Sequence, residues 1–595
     1  MPTRRELLAA AAWAPASLGS AGAAELAPRK VLRAAFNTAE VGFDPLQVSD
    51  ESSLTVIDLI FEAPLSFDAL ARPALLKPLT AASLPEVAAD FKHFVFTIRP
   101  GIFFSDDPVF KGRPRELTAA DYVYSLKRLY DPAVHSERLY QLENAQVLGL
   151  SELRRKALTA RTPFPYDVEV AGLRALDRYH FEVRLGTPTP RFANVFAASQ
   201  TAGAVAREVV QAYASDLMAH PVGTGPYRLI EWRRGSRVVL ERNPRFRELR
   251  FDSAAPAGDS EAAQAARALV GKALPLVDRI EISVITESQP RWLAFVGGEI
   301  DTLRLPPSFA PIALPGGQLA PYLAKRGVHA RQTLSANIKH TFFNFDDHQV
   351  GGYTPEKVAL RRAIALARDN AADIRLLYNG LALPAQSMIA PNNVGYDPTL
   401  KSEASDASPA RANALLDVYG YARGSDGWRR HPDGSALQLR LASSDDQRAR
   451  QENDLWQKRM TAIGLRMVFV PAPFGELIKR SLAGQLQMWG FTWSNGPDGE
   501  FFLSLAYGPN ADQNNDARFK LPAFDALYER QAVMADGPER RALMREATKL
   551  MLAYMPYIPQ LHPIDVDLSH ARVRHLIRHP FKSSWWHFTE IALRG

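Results

Sequence analysis

His220–Phe246 reads HPVGTGPYRLIEWRRGSRVVLERNPRF, and its reading decides the fold. Gly223 and Gly225 permit φ > 0 or close backbone packing, and Pro226 fixes the dihedral that follows. Beyond this turn Tyr227, Leu229 and Glu231 alternate with Arg228, Ile230 and Trp232, which predicts an extended strand with the two sets on opposite faces. Arg233–Ser236 is then a hairpin loop and Arg237–Leu240 the returning strand. Asn243-Pro244 stops the ladder, because proline has no N–H to donate. A nucleotide site at the glycine pair fails on spacing. A dinucleotide fingerprint needs a third glycine and then a helix, whereas Arg228 stands there inside a strand. No Lys-Ser or Lys-Thr follows to form a phosphate loop.

Working outward, strands and helices alternate on both sides of the hairpin. Val31–Asn37 reads as a first strand, and Ser49–Ser53 as the cap of a helix through Val56, Ile57, Leu59 and Ile60. Phe94–Ile98 is an apolar strand. Thr118 and Asp121 have the spacing of a capping box for a helix that Asp131-Pro132 ends. Residues 132–165 read as helical, 168–185 as two strands around Leu176-Asp177, and 251–271 as a solvated helix or loop. Val277–Ile282 alternates as a strand. Phe342–Phe345 is a further strand. Leu360, Ile364, Ala367, Ile374 and Leu377 then form one helical stripe. Helices at 410–419 and 453–463 intersperse strands at 437–442 and 467–470, with Gly464 capping the second helix. This alternation in both halves predicts α/β lobes.

A chain of 595 residues is long enough for several cores, and 46% hydrophobic with 23% charged residues is an ordinary globular composition. The formal charge of +7 is small for this length, and the basic residues do not alternate with aromatics as in a nucleic-acid groove. Arg4 and Arg5 precede an apolar run to about Leu18, followed by the small residues Ala21–Ala24. That is the pattern of an export signal over residues 1–24, with the paired arginines favouring the twin-arginine route. The absence of cysteine excludes a lipoprotein anchor, a cysteine nucleophile and thiolate metal sites. The expected location is the periplasm.

Catalytic patterns are sparse. His575 and His579 stand four apart, which on a helix would suit Zn²⁺, but Pro580 follows and no H-E-x-x-H pattern exists. No G-x-S-x-G elbow supports a secreted hydrolase. The most suggestive site is Trp489–Phe502, WGFTWSNGPDGEFF, read as an irregular loop in which Phe501 and Phe502 enter the core while Phe491, Trp493, Ser494 and Asn495 are ligand-facing candidates, a core role for the aromatics being the equal alternative. Ser49, Asp50, Glu51 and Ser52 read as a helix N-cap.

The His220–Phe246 signature, the F-x-D and T-A-x-D elements near 104–121, GGEID at 297–301, the R-x-A-I-x-x-A pattern before Ala367 and PNNVGY at 391–396 occur together in one order. In this the chain resembles the family 5 extracellular solute-binding proteins, which include the dipeptide- and oligopeptide-binding components of ABC importers. The resemblance implies a type II-like periplasmic binding protein: two α/β lobes with a hinge and an extra subdomain in the first lobe. The expected division is 31–61, 206–330 and 565–595 for lobe I, 62–205 for the subdomain and 331–564 for lobe II. It implies no enzyme activity, no cofactor and no metal. Its implied partners are a solute, an inner-membrane ABC permease and the ATPase of that permease, with the binding protein itself a monomer and no nucleic acid bound. The implied solute is a short peptide; opines, oligosaccharides, haem and metal complexes are bound elsewhere in the family, and a chaperone-like binder of unfolded chains is the alternative of another class. Peptide-binding relatives place an aspartate for the peptide's amino terminus where this chain has Ser494. The resemblance equally implies that Ser49, Asp50, Glu51 and Ser52 form the opposite wall of the ligand site.

Overall fold

The computed structural model describes residues 29–593 apart from positions 137, 445, 495 and 512. The expected export leader and Asn495 lie outside the described residues. The first half supplies β1 (Val31–Phe36), α1 (Glu51–Ile60), β2 (His93–Thr97), α2 (Ala119–Tyr130), β3 (His180–Arg184), β4 (Tyr227–Arg233), β5 (Arg237–Arg242) and β6 (Arg279–Val284). Strands β1, β6, β5 and β4 lie side by side in that order, β1 parallel to β6 and the others antiparallel. Alternate residues Leu32, Ala34 and Phe36 of β1 enter one core with Ile280, Ile282, Val238 and Leu240. A second sheet, formed by Glu86–Val87, β2, β3 and Leu173–Ala175, has its own core of Phe94, Phe96, Phe181 and Val183. Helix α2 packs on it, begun by the Thr118–Asp121 capping box.

The glycine pair is explained by α1. A Cβ on Gly223 would stand 2.1 Å from the carbonyl oxygen of Ile60, and one on Gly225 2.7 Å from it. The Gly225 N–H donates to that same oxygen at 2.8 Å. The signature is therefore a close backbone approach that satisfies the open C-terminal end of α1. Its hairpin forms as expected, with one correction. A bulge between Leu229 and Glu231 shifts the register, so Trp232 joins Tyr227 and Leu229 against the same core, its ring 4.9 Å from Phe43.

The chain continues with β7 (Thr302–Arg304) and β8 (His329–Leu334), and the second half supplies β9 (Asn337–Phe343), α3 (Pro355–Ala367), α4 (Asn370–Leu377), β10 (Gln438–Ser443), α5 (Gln447–Ala462), β11 (Arg466–Pro471), β12 (Met488–Ser494), α6 (Glu500–Ser504), α7 (Pro522–Ala532), α8 (Pro538–Tyr554) and the start of β13 (Tyr557–Ser569). The single helical stripe expected over 360–377 is two helices. Arg368 is extended, and Asp369 caps α4 by accepting from the Ala372 N–H at 2.8 Å. The central sheet runs β13, β9, β12, β10, β11, with β7 and β8 also paired to β13. Its two faces carry separate cores, one with Ile338, Phe342 and Trp489 and the other with Phe343, Leu439 and Met488.

Strand β13 joins the halves. Its first residues, Tyr557–Leu561, pair with β9, whereas Ile564–Ser569 pair with β8 and Asp567–Ser569 with β7. The chain's other crossing, Ser335-Ala336, separates β8 from β9. The boundaries expected at 330/331 and 564/565 thus fall inside β8 and β13, where the sheet is continuous.

Candidate functional site

The stretch expected as an irregular loop is ordered strand as far as Ser494. Strand β12 pairs with β9 along all seven residues, from Asn337↔Ser494 to Phe343↔Met488. On its other edge it meets β10 only at Met488 and Trp489. From Gly490 to Ser494 that edge has no strand partner among the described residues. An edge of this kind offers main-chain N–H and C=O groups to an added extended chain.

Strand alternation sorts the expected residues. Trp489, Phe491 and Trp493 turn to the core side: Phe491 is 8% exposed, its ring 4.5 Å from Trp489 and 4.8 Å from His340. The Trp493 ring bridges Phe491 at 5.2 Å and Phe501 at 5.4 Å, and its indole N–H has no partner among the described residues. Phe502 is fully buried and Phe501 packs beside it, as expected. Gly490, Thr492 and Ser494 take the opposite face, and Ser494 is exposed.

Beside this face lies a pocket of about 210 Å³, bordered by Lys339, Thr341, Ser443, Glu452, Asn453 and Thr492. Lys339 pairs with Glu452, and the Arg448 Nε lies 3.5 Å from the same carboxylate. The Arg448 guanidinium is 4.1 Å from the Tyr378 ring centroid, a cation–π contact. Asn453 donates to the Ser443 hydroxyl at 3.0 Å, and Gln560 to the Thr341 hydroxyl at 2.6 Å. The pocket is thus mixed, its polar groups set beside Leu441, Trp456, Phe474 and Phe491, with the Lys339, Arg448 and Glu452 charges compensated in place. Sequence reasoning missed Lys339, Glu452 and Thr492. The available signal was Lys339 and Thr341, two polar residues on one face of an otherwise apolar or aromatic strand.

On the first half, Asp50 caps α1 by accepting from the Ser53 N–H at 2.8 Å, while its Oδ2 is buried without a partner. Glu51 is held by Arg304 at 2.8 and 3.2 Å. Ser52 is buried and donates to the Thr38 carbonyl at 2.7 Å, and Ser49 is exposed. Among the described residues no hydrogen bond or ring contact joins Ser49–Ser52 to Phe491–Ser494.

The turn after β12 is anchored by charge. Asp498 accepts both guanidinium nitrogens of Arg540 and also the Glu500 N–H, at 2.8 Å. Burial pushes the Glu500 carboxyl up from its ordinary value, against the lowering effect of Arg191 and Arg540. His575 and His579 share no helix: His575 has φ +57°, and His579 is buried against Phe67, ring centroids 5.5 Å apart. Among the described residues no three His, Asp or Glu side chains are placed to hold a metal, and no helix is long and apolar enough to cross a membrane.

Two α/β halves joined by two crossings, with an uncovered strand edge above a partly polar pocket, are the layout of a two-lobed binding protein. Residues 76–514, more than half of the chain, match the model of the bacterial extracellular solute-binding proteins, family 5 Middle, and the chain belongs to that family. It is 24% identical over 575 residues to Di/tripeptide-binding protein 2 of Pseudomonas aeruginosa, covering 93% of each chain. Its fold is shared with DppA of Helicobacter pylori, solved in complex with the peptide STSA, at a TM-score of 0.69 and 18% identity over 95% of this chain and 98% of that one. It is shared too with NikA of Brucella suis in complex with Fe(III)-EDTA, at 0.71 and 18% over 94% and 100%.

Proposed function

We propose that this chain is the periplasmic binding component of an ABC importer and captures a short peptide between its two lobes. The observation that carries the reading is the uncovered edge of β12 from Gly490 to Ser494 beside a partly polar pocket. A peptide main chain added there gains strand hydrogen bonds whatever its side chains, and those side chains alternate between pocket and solvent. The related di/tripeptide-binding protein supports this solute class. Lobe I comprises 31–61, 206–330 and 565–595 with the 62–205 subdomain, and lobe II comprises 331–564. Solute that touches both lobes favours closure about β8 and β13. The closed monomer delivers to an inner-membrane permease, and the permease's ATPase supplies the energy. Asp50, on the lobe I wall, keeps one buried carboxylate oxygen without a partner among the described residues, which supports it as the anionic partner of a peptide ammonium. Residues 1–24 are the export leader, of twin-arginine type.

Calorimetry with a panel of di- and tripeptides tests the proposal: one peptide per chain is expected, with peptide recovered unchanged. No binding across the panel, with a different solute co-purifying, would overturn it. If, as the resemblance implies, Ser494 stands where peptide-binding relatives carry an aspartate, a neutral or anionic solute is the second reading.

A further inference from the structure

Away from the hinge strands, Arg191 reaches from one half to the other. It directly precedes Phe192, which with Phe196 one short turn on is buried in the core built on β2 and β3. Its guanidinium, 13% exposed, lies against the second half. There it donates to the carbonyl of Ala532, the last residue of α7, at 2.6 Å, to that of Met534 in the turn that follows at 2.9 Å, and to the Glu500 carboxylate. Asp498 is 3.5 Å and Asp536 4.0 Å away. Carbonyls at a helix C-terminus carry partial negative charge, so all five groups attract the same cation.

Among the described residues the cluster is otherwise served by Arg540 alone, which reaches Asp498, Glu500 and Asp536 with a side chain closed to solvent. Three carboxylates against two guanidiniums leave one negative charge uncompensated. Withdrawing Arg191 would leave two, together with two unpaired carbonyls. Separation of the halves therefore meets an electrostatic resistance that no solute supplies.

We propose that Arg191 is a latch that biases the two lobes toward closure before any solute is bound. The latch depends on the hinge reading above but not on which solute fills the cleft. A binding protein with such a bias presents a largely pre-closed cleft, and its solute affinity is scaled by the closed fraction.

Because the chain has no cysteine, spin labels attach only where cysteines are introduced. The full mature chain with Leu84→Cys and Val418→Cys, two exposed positions on opposite halves, reports the interlobe distance in solute-free protein. Arg191→Gln is expected to move the distance distribution to longer values and to weaken solute binding, roughly tenfold if the closed fraction falls to about a tenth. Glu500→Gln, which leaves Arg540 on Asp498, is expected to shift it less and in the same direction, and it serves as the readout if Arg191→Gln does not fold. Solute-free distances identical to the parent in a folded variant would overturn the latch. That result is distinct from failure of peptide binding, which leaves the solute-free distances untouched.

Discussion

The guanidinium of Arg540 holds both carboxylate oxygens of Asp498, at 2.7 and 2.8 Å, from a side chain that solvent does not reach. This pair fixes the turn leaving β12 and so fixes where the free strand edge ends. Replacing Arg540 by alanine would leave the largely buried Asp498 and Glu500 with Arg191 as their remaining cation among the described residues. The expected cost is about 3–5 kcal/mol, read as a fall in the urea midpoint with little change in slope. A loss below about 1 kcal/mol would mean that the acids relax into water instead.

Gly223→Ala places a methyl group 2.1 Å from the Ile60 carbonyl oxygen, a backbone atom that cannot swing aside. Overpacking of this kind costs about 1–3 kcal/mol or more. Thermal unfolding is expected to show the loss, and Gly427→Ala, at a glycine whose added Cβ would meet nothing within 4 Å, is the control for packing but not for its positive φ. An unchanged Tm for Gly223→Ala would contradict the close approach.

Charge recognition separates Asp50 from Glu51. Glu51 already faces Arg304, so Glu51→Gln is expected to leave peptide affinity near the parent value. Asp50→Ala loses the helix cap, about 1 kcal/mol of stability, whereas Asp50→Asn retains it. If Asp50 meets the peptide ammonium, both variants weaken binding although only one loses stability. Calorimetry and unfolding on the same samples separate the two effects.

Ser494→Asp is expected to strengthen binding of peptides with a free amino terminus about 10- to 100-fold, the value of a hydrogen bond to a charged group. N-acetylated peptides should show no gain. Equal gains for both would indicate that position 494 acts on something other than the ammonium.

Acid should weaken the fold through His340 and His562. Burial depresses His340 to about 3 and His562 to about 4, while an unfolded histidine titrates near 6.5. Between these values the unfolded chain binds the extra proton, so the stability these groups contribute is present above about pH 6.5 and lost as pH falls. His340→Phe is expected to flatten the acid limb by about 1.4 kcal/mol per pH unit between about pH 6 and 4. A parallel slope in the variant would show that His340 is not held neutral.

Much of the fold was legible in the residues themselves. Local chemistry wrote the Thr118–Asp121 capping box, the Asp50 cap, the Gly464 stop and the hairpin that begins at Tyr227, because each depends on neighbours a few positions away. The resemblance added the family, which the match over 76–514 bears out. Where a one-residue bulge intervened, alternation alone misplaced Trp232, since a bulge depends on the partner strand.

The site was less legible, and for a physical reason. Sequence marked Trp489–Ser494 as special but not as strand, because its glycine and serine weaken the local preference while pairing with β9 enforces it. Sequence fixed neither the pairing of Lys339 with Glu452, 113 positions apart, nor that of Arg191 with Glu500, 309 apart. Such contacts exist only after the chain has folded back on itself. By itself the sequence determined the α/β alternation, the caps and the family. Tertiary structure decided which strand edge stays open, which charges are already spent on one another, and where the two halves touch.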